Sequence, residues 1–168
     1  MTEGNTQANE QQAAEQASNQ PMFNMEKIYV KDVSLEIPNA PQIFLVRENP
    51  QIDVQLASQA AAIDDGVFEV MVTATVTTKV GDKVMFLVEA KQAGIFQIRN
   101  LPAPELEAIL AVMCPNILFP YLREVVSDLS VRAGFAPVLL NPINFEVLYQ
   151  QQKQQQQQAA AEAPVTTH

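Results

Sequence analysis

Between residues 24 and 92 apolar and polar side chains alternate with a period of two, and beyond residue 104 the apolar spacing lengthens to that of a helix. Asn24 to Glu36 predicts a first strand, with Asp32, Ser34 and Glu36 on one face and Tyr29, Val33 and Leu35 on the other. One of its faces is therefore polar and acidic. Ile37 to Pro50 holds Pro38, Pro41 and Pro50 with Asn39 at a turn, yet carries Ile43 and Phe44 in its middle, which makes it a long connection with an apolar anchor. Gln51 to Leu56 sets Ile52, Val54 and Leu56 against Gln51, Asp53 and Gln55, a second strand that ends at or near the turn Asp64-Asp65-Gly66. In Val67 to Thr78, Phe68, Val70, Val72, Ala74 and Val76 share one parity and Glu69, Thr73, Thr75 and Thr77 the other. Val80-Gly81-Asp82-Lys83 then closes a hairpin into a fourth strand, Val84 to Gln92, with Leu87 and Glu89 on one face and Phe86, Val88 and Ala90 on the other. Apolar residues on both parities of that strand predict cover on both sides, which a partner subunit could supply.

After Pro104, Leu106, Ile109, Leu110 and Met113 fall at i, i+3, i+4 and i+7, a short helix that Pro115 is expected to end. A second helix is expected from Pro120, carrying Leu122, Val125, Val126 and Leu129 until Gly134 stops it, and Asn144 can cap a third that begins at Phe145. Strands followed by helices predict an α+β fold, a four-stranded antiparallel sheet with the helices packed on one face. The run Cys114 to Glu124, with prolines at 115 and 120, has two readings. It is either a buried core corner or a bend that turns Leu118, Phe119 and Tyr121 toward a groove or a neighbouring chain.

Composition narrows the class. With 168 residues and 48% hydrophobic content, the chain can build one domain with a substantial core. Residues 1–20 are rich in Gln, Asn, Ala, Ser and Glu with no large apolar side chain after Met1, and are expected to be a disordered polar tail. The Gln-rich stretch 150–168 is expected to prolong a helix by a turn or two and then fray, leaving 21–149 as the folded domain. The N-terminal stretch has neither a basic residue nor an apolar segment of signal type, and no window is expected to span a membrane, which points to the cytoplasm. A single cysteine excludes an internal disulfide and agrees with a reducing compartment.

The formal charge is −9, and setting aside Glu3, Glu10, Glu15, Glu162 and Lys153 in the two tails leaves fifteen acids and nine bases in the domain. That balance argues against a nucleic-acid partner and for a basic protein one. Catalytic chemistry finds little support. The one histidine is the last residue, His168, so neither a Cys-His dyad with Cys114 nor a Ser-His-Asp triad has its base within the domain. No glycine is followed by lysine, so there is no phosphate-binding loop, and His/Cys metal sites fail the same count. Carboxylates such as Asp64-Asp65 or Glu105 and Glu107 sit where turns and helix starts ordinarily place them. The residues describe a binding protein that performs no covalent chemistry and needs no cofactor.

Several long strings carry a family resemblance: Ile28-Tyr29-Val30-Lys31-Asp32-Val33-Ser34-Leu35-Glu36-Ile37-Pro38-Asn39-Ala40-Pro41, Phe86-Leu87-Val88-Glu89, Ala93-Gly94-Ile95-Phe96, Cys114 to Glu124, Gly134-Phe135 and Asn141-Pro142-Ile143-Asn144-Phe145. Over roughly Phe23 to Tyr149 the chain resembles the bacterial SecB export chaperones. It departs from their usual pattern in lacking a Trp before Pro50, where Glu48-Asn49 stand, in Ala93 for one of two glycines, and in Ala136 for a proline. The resemblance implies a homotetramer built as a dimer of dimers. It further implies an ATP-independent chaperone that holds unfolded precursor proteins in the cytoplasm and delivers them to the SecA ATPase for export. By the same resemblance, Asp32, Glu36, Leu87 and Glu89 match the positions that dock the small, basic, zinc-bearing C-terminal tail of SecA. An apolar groove for clients is expected between the crossover connection and the helices, with Ile43, Phe44, Phe96, Leu118, Phe119, Tyr121 and Phe135 as candidates that are either groove or core. A scaffold whose apolar surface serves only its own oligomer is the competing class.

Overall fold

The computed structural model describes residues 19–162. The expected polar tail lies outside the described residues except for its last two positions, as do residues 163–168. The chain runs β1 (Met22–Glu36), β2 (Gln51–Asp64), β3 (Val67–Val80), β4 (Lys83–Arg99), α1 (Ala103–Arg132) and α2 (Phe145–Glu162). The sheet is antiparallel throughout, in the order β1-β4-β3-β2. Its strands are 14 to 17 residues long, well beyond the roughly five to six of an average strand. Asp65-Gly66 closes the β2–β3 hairpin, where φ of +64° requires a residue without a Cβ. Arg99 fastens this turn to the end of β4, donating from Nη1 to Asp65 Oδ2 at 2.9 Å and from Nη2 to the Asp65 carbonyl at 2.7 Å.

Because β1 and β2 occupy opposite edges of the sheet, residues 37–50 must cross it. Two devices hold that crossover. Asn39 donates from Nδ2 to the Val84 carbonyl at 2.8 Å, and Ile43, in a 3-10 turn at Gln42–Leu45, is 2% exposed. The apolar anchor read from the sequence is thus Ile43, while its neighbour Phe44 remains 43% exposed.

The strand parities agree with expectation for β3 and β4 but break within β1. Register shifts between Val30 and Asp32, where Lys31 is the extra residue of a β-bulge. The bulge carries Tyr29 to the same face as Asp32, since Tyr29 pairs with Ala93 and Asp32 with Lys91, two residues apart on β4. Period-two counting could not see this, because it assumes an uninterrupted pleat. Gln92, buried on the opposite face, donates from Nε2 to the Tyr29 carbonyl at 2.9 Å and so satisfies a backbone acceptor next to the bulge.

The helices are fewer and longer than the prolines suggest. Ala103–Arg132 is one helix, α-helical to Ala108, π-helical over Ile109–Met113 and α-helical again from Cys114. Pro115 would drive its ring into the carbonyl of Ala111, and the π turn widens the helix at that point, with the Cys114 amide bonding the carbonyl of Ile109 five residues back. Pro120 deprives Asn116 of an amide partner, but both residues lie on the exposed side, where water can take that role. Cys114, Leu118, Leu122, Val126 and Ser130, each four apart, form the buried stripe against β3 and β4. The expectation that no window resembles a membrane span is corrected here: α1 contains an 18-residue window of mean hydropathy 1.4. In this fold that apolarity serves the stripe, which packs on Val70, Val72, Val76, Phe86 and Val88.

Asn144 caps α2 as expected, accepting from the Val147 amide at 3.1 Å. The glutamine run that follows stays helical to Glu162, longer than the turn or two anticipated. Its anchorage is visible at Lys153, which lies 4.9 Å from the Tyr149 ring centroid and 3.6 Å from Glu107 on α1.

Candidate functional site

Two surfaces on opposite sides of the sheet have the chemistry of binding sites. The first is the outer face, away from the helices. Residues directly opposite in antiparallel strands share a face, and the β1–β4 register sets Asp32 against Lys91, Ser34 against Glu89 and Glu36 against Leu87. Asp32, Glu36, Leu87 and Glu89 therefore come together, with rows about 7 Å apart along the strands. Thr73, Thr75 and Thr77 of β3 extend the same rows. All four are solvent-accessible in part, Asp32 and Glu36 more than Leu87 and Glu89, and the Asp32 side chain is 60% exposed.

Lys91 is the member of this face that sequence reading missed. Its Nζ lies 3.1 Å from Glu89 Oε1 and 3.8 Å from Asp32 Oδ2. The hydrogen bond and charge of Glu89, followed by the charge of Asp32, push the ammonium pKa up against the opposing effect of desolvation. Its parity, two residues after Glu89, was the signal that could have found it. Farther along the same face Lys31, freed by the bulge, pairs with Glu69 on β3. Burial, then the charge of Glu69, raises the pKa of the neighbouring Tyr29 phenol. Ala93, fully buried between the register partners Tyr29 and Met71, shows that part of the outer cover of β4 is intramolecular.

The second surface lies on the helical side. Gly134, at φ +88°, ends α1 in a Schellman motif, its amide bonding Val131 O at 2.9 Å and that of Phe135 bonding Ser130 O at 3.2 Å. This sharp stop aims Phe135 back at the sheet. Phe135 stacks on Phe86 at 5.0 Å and on Phe44 of the crossover at 5.1 Å, a three-ring pile with a buried foot and an exposed top. Leu45, at 77% exposure, adjoins Phe44 in sequence.

The other groove candidates separate from this pile. Phe96, Leu118 and Phe119 are 0%, 0% and 6% exposed and belong to the core, where Phe119 meets Phe145 of α2 edge-on at 5.9 Å. Of the two readings left open by the sequence, the core one holds for these three: α1 runs unbroken through Pro115 and Pro120, carries Leu118 and Phe119 into the core, and covers Phe96 on β4. Tyr121 is half exposed on the flank of α1 and has no ring contact with the pile. Between the edge strand β2 and α2 there is a further depression of about 180 Å³, unforeseen from sequence, with Leu56, Phe145, Leu148 and Tyr149 in its wall. The β2 strand beside it exposes Ile52 and Val54, and one side of its backbone has no neighbouring strand among the described residues.

Against known proteins, the family profile described as "Preprotein translocase subunit SecB" matches residues 16–156. A "Protein-export protein SecB" of Methylobacillus flagellatus is 60% identical over 142 residues, covering 84% of this chain and 90% of that one. The protein of the same description from Chromobacterium violaceum is 63% identical over 138 residues, covering 82% and 92%. Among solved structures, a Mycobacterium tuberculosis SecB-like chaperone in complex with a ChAD peptide from an antitoxin aligns with a TM-score of 0.61. It is 20% identical, spans 78% of this chain and 95% of its own, and bears on the fold alone.

Proposed function

Since this chain belongs to the SecB family of protein-export chaperones, we propose that it holds unfolded precursor proteins in the cytoplasm without ATP and hands them to SecA for export. The observation that carries this reading is the separation of two chemically different surfaces by one sheet. An acidic, threonine-lined outer face suits a basic docking segment, and an aromatic surface on the helical side suits apolar stretches of an unfolded chain. A holder built this way keeps its client while docking, because neither ligand must leave for the other to bind.

The docking ligand is the basic, zinc-bearing C-terminal tail of SecA, met by Asp32, Glu36 and Glu89 with Leu87 beside them. The client surface centres on Phe44 and Phe135, with buried Ile43 anchoring the turn that carries Phe44 and Tyr121 as a separate exposed contact. The free β2 edge offers backbone groups to an extended client segment. The working unit is a homotetramer, a dimer of dimers, which would cover apolar side chains left open in the single chain, such as Val131 and Leu139.

One experiment separates the roles. The purified protein, of tetramer mass, should suppress aggregation of a reduced unfolded substrate and bind a SecA tail peptide. Asp32→Lys or Glu89→Lys should abolish peptide binding and spare holdase activity, while Phe44→Ser with Tyr121→Ser should do the reverse without dissociating the tetramer. Normal peptide affinity in the charge variants would refute the docking face, and a tetramer that protects no substrate would instead leave the chain as a scaffold.

A further inference from the structure

We propose that Lys91 is a built-in competitor for the docking partner: in the unbound chain its ammonium occupies the carboxylates of Asp32 and Glu89 that an incoming lysine or arginine must use. The inference rests on the reading of the outer face as the dock for a basic segment, and adds how that dock is regulated.

Lys91 stands on β4 opposite Asp32 and two residues from Glu89, so one side chain reaches both acids, at 3.8 and 3.1 Å, across adjacent strands. Glu36, four residues along β1 from Asp32, makes no ion pair among the described residues. The face thus presents one open carboxylate beside Leu87 and two that are already engaged. Binding proceeds by addition at Glu36 and exchange at the other two, with the Lys91 ammonium swinging out to solvent. Its side chain is 33% exposed and those of its partners 60% and 41%, so the resident pairs are solvent-screened and individually weak. An exchangeable counter-ion of this kind lowers affinity without blocking the site. It also blunts the salt response, because exchanging one ion pair for another changes the exposed charge less than neutralising a bare carboxylate does.

The competitor further sets a threshold on the ligand. A solitary cation gains little by replacing Lys91, whereas a segment with several cations, or with guanidinium groups that grip carboxylates through two parallel bonds, gains at each exchange. Selectivity for a dense basic segment over the isolated lysines of an unfolded client follows from that difference.

The test is calorimetric titration of the full-length protein with a zinc-loaded synthetic peptide of the SecA C-terminal tail, at roughly 50 and 200 mM salt. Lys91→Met and Lys91→Gln should bind it about five- to ten-fold more tightly at the lower salt, on the scale of two exposed ion pairs no longer displaced. That advantage should shrink at the higher salt, giving the variants the steeper salt dependence. Lys31→Met, which removes the same charge from the same face but from Glu69 rather than from the dock, is the control and should bind as the parent does. An equal gain in Lys31→Met would reduce the effect to net charge and overturn the proposal. Unchanged or weaker binding by both Lys91 variants, with Asp32→Lys still abolishing it, would also overturn it while leaving the dock standing. If the parent does not bind the peptide at all, dock and competitor fall together. Retained tetramer mass and aggregation suppression in each variant show that it is folded.

Discussion

Gly134→Ala tests whether the end of α1 and the aromatic pile are one mechanical unit. Gly134 adopts φ +88°, and a Cβ built there would lie 3.1 Å from Phe44 Cε1. Alanine in the left-handed region costs about 1–2 kcal/mol by itself. The Phe44 ring must also move by a few tenths of an ångström, which endangers a stacking contact of about 0.5–1.5 kcal/mol. The sum is about 1.5–3.5 kcal/mol, and at about 2–4 °C per kcal/mol for a chain of this size it should lower Tm by roughly 3–14 °C. Urea unfolding at fixed protomer concentration reads the change, since assembly would otherwise move the apparent stability. The same substitution in a Phe44→Ala background isolates the contact. There the cost should fall to the backbone share alone, about 1–2 kcal/mol. Identical costs in the two backgrounds would refute the coupling of helix stop to pile, and a total below about 0.5 kcal/mol would refute the strain itself.

Two further substitutions examine the core. At Gly94 an added Cβ would stand 2.9 Å from Phe96 Cε2 and 3.0 Å from Leu118 Cδ2, both fully buried, so Gly94→Ala should destabilise by about 1–3 kcal/mol through overpacking. Thermal unfolding checks this, and a neutral result would mean that α1 can lift from β4 at no cost. Burial pushes the Cys114 thiol from 9.0 to about 12, so the neutral form is the one the fold accommodates. Its contribution to stability is complete below pH 9 and drains away as pH rises toward 12, and the native protein at pH 8 should label with a thiol reagent only as fast as it unfolds. Prompt stoichiometric labelling of the native protein would contradict that burial.

Much of this architecture was legible in the order and parity of the apolar residues. The four strands, their two hairpin turns, the Ile43 anchor and the Asn144 cap follow from local chemistry that needs no partner to specify it. The outer face was legible in part: its carboxylates share a parity, whereas Lys91 and the displaced Tyr29 depend on inter-strand register and on a bulge with no local signature at Lys31. The prolines misled for a related reason. Their propensity is a local property, but their tolerance at 115 and 120 depends on a π turn upstream and on solvent beside Asn116, both set by how α1 lies on the sheet. Access was the least legible quantity. Phe44 and Phe96 are the same residue type in equally apolar surroundings, and only the fold decides that one tops the pile and the other is sealed beneath a helix.

The π turn also divides α1 into two halves with independent angular settings. One residue of α-helix corresponds to about 100° of rotation, so the extra residue accommodated between Ile109 and Met113 offsets Leu106 and its neighbours from the angular frame set by Leu118 and Leu122. Gaining or losing a single residue in that interval would barely alter the length of α1, yet would rotate the first half about its axis and present α2 with a different set of side chains. Divergence at this point of the chain is therefore felt as torsion, and the five residues act as the vernier by which the two helices are aligned.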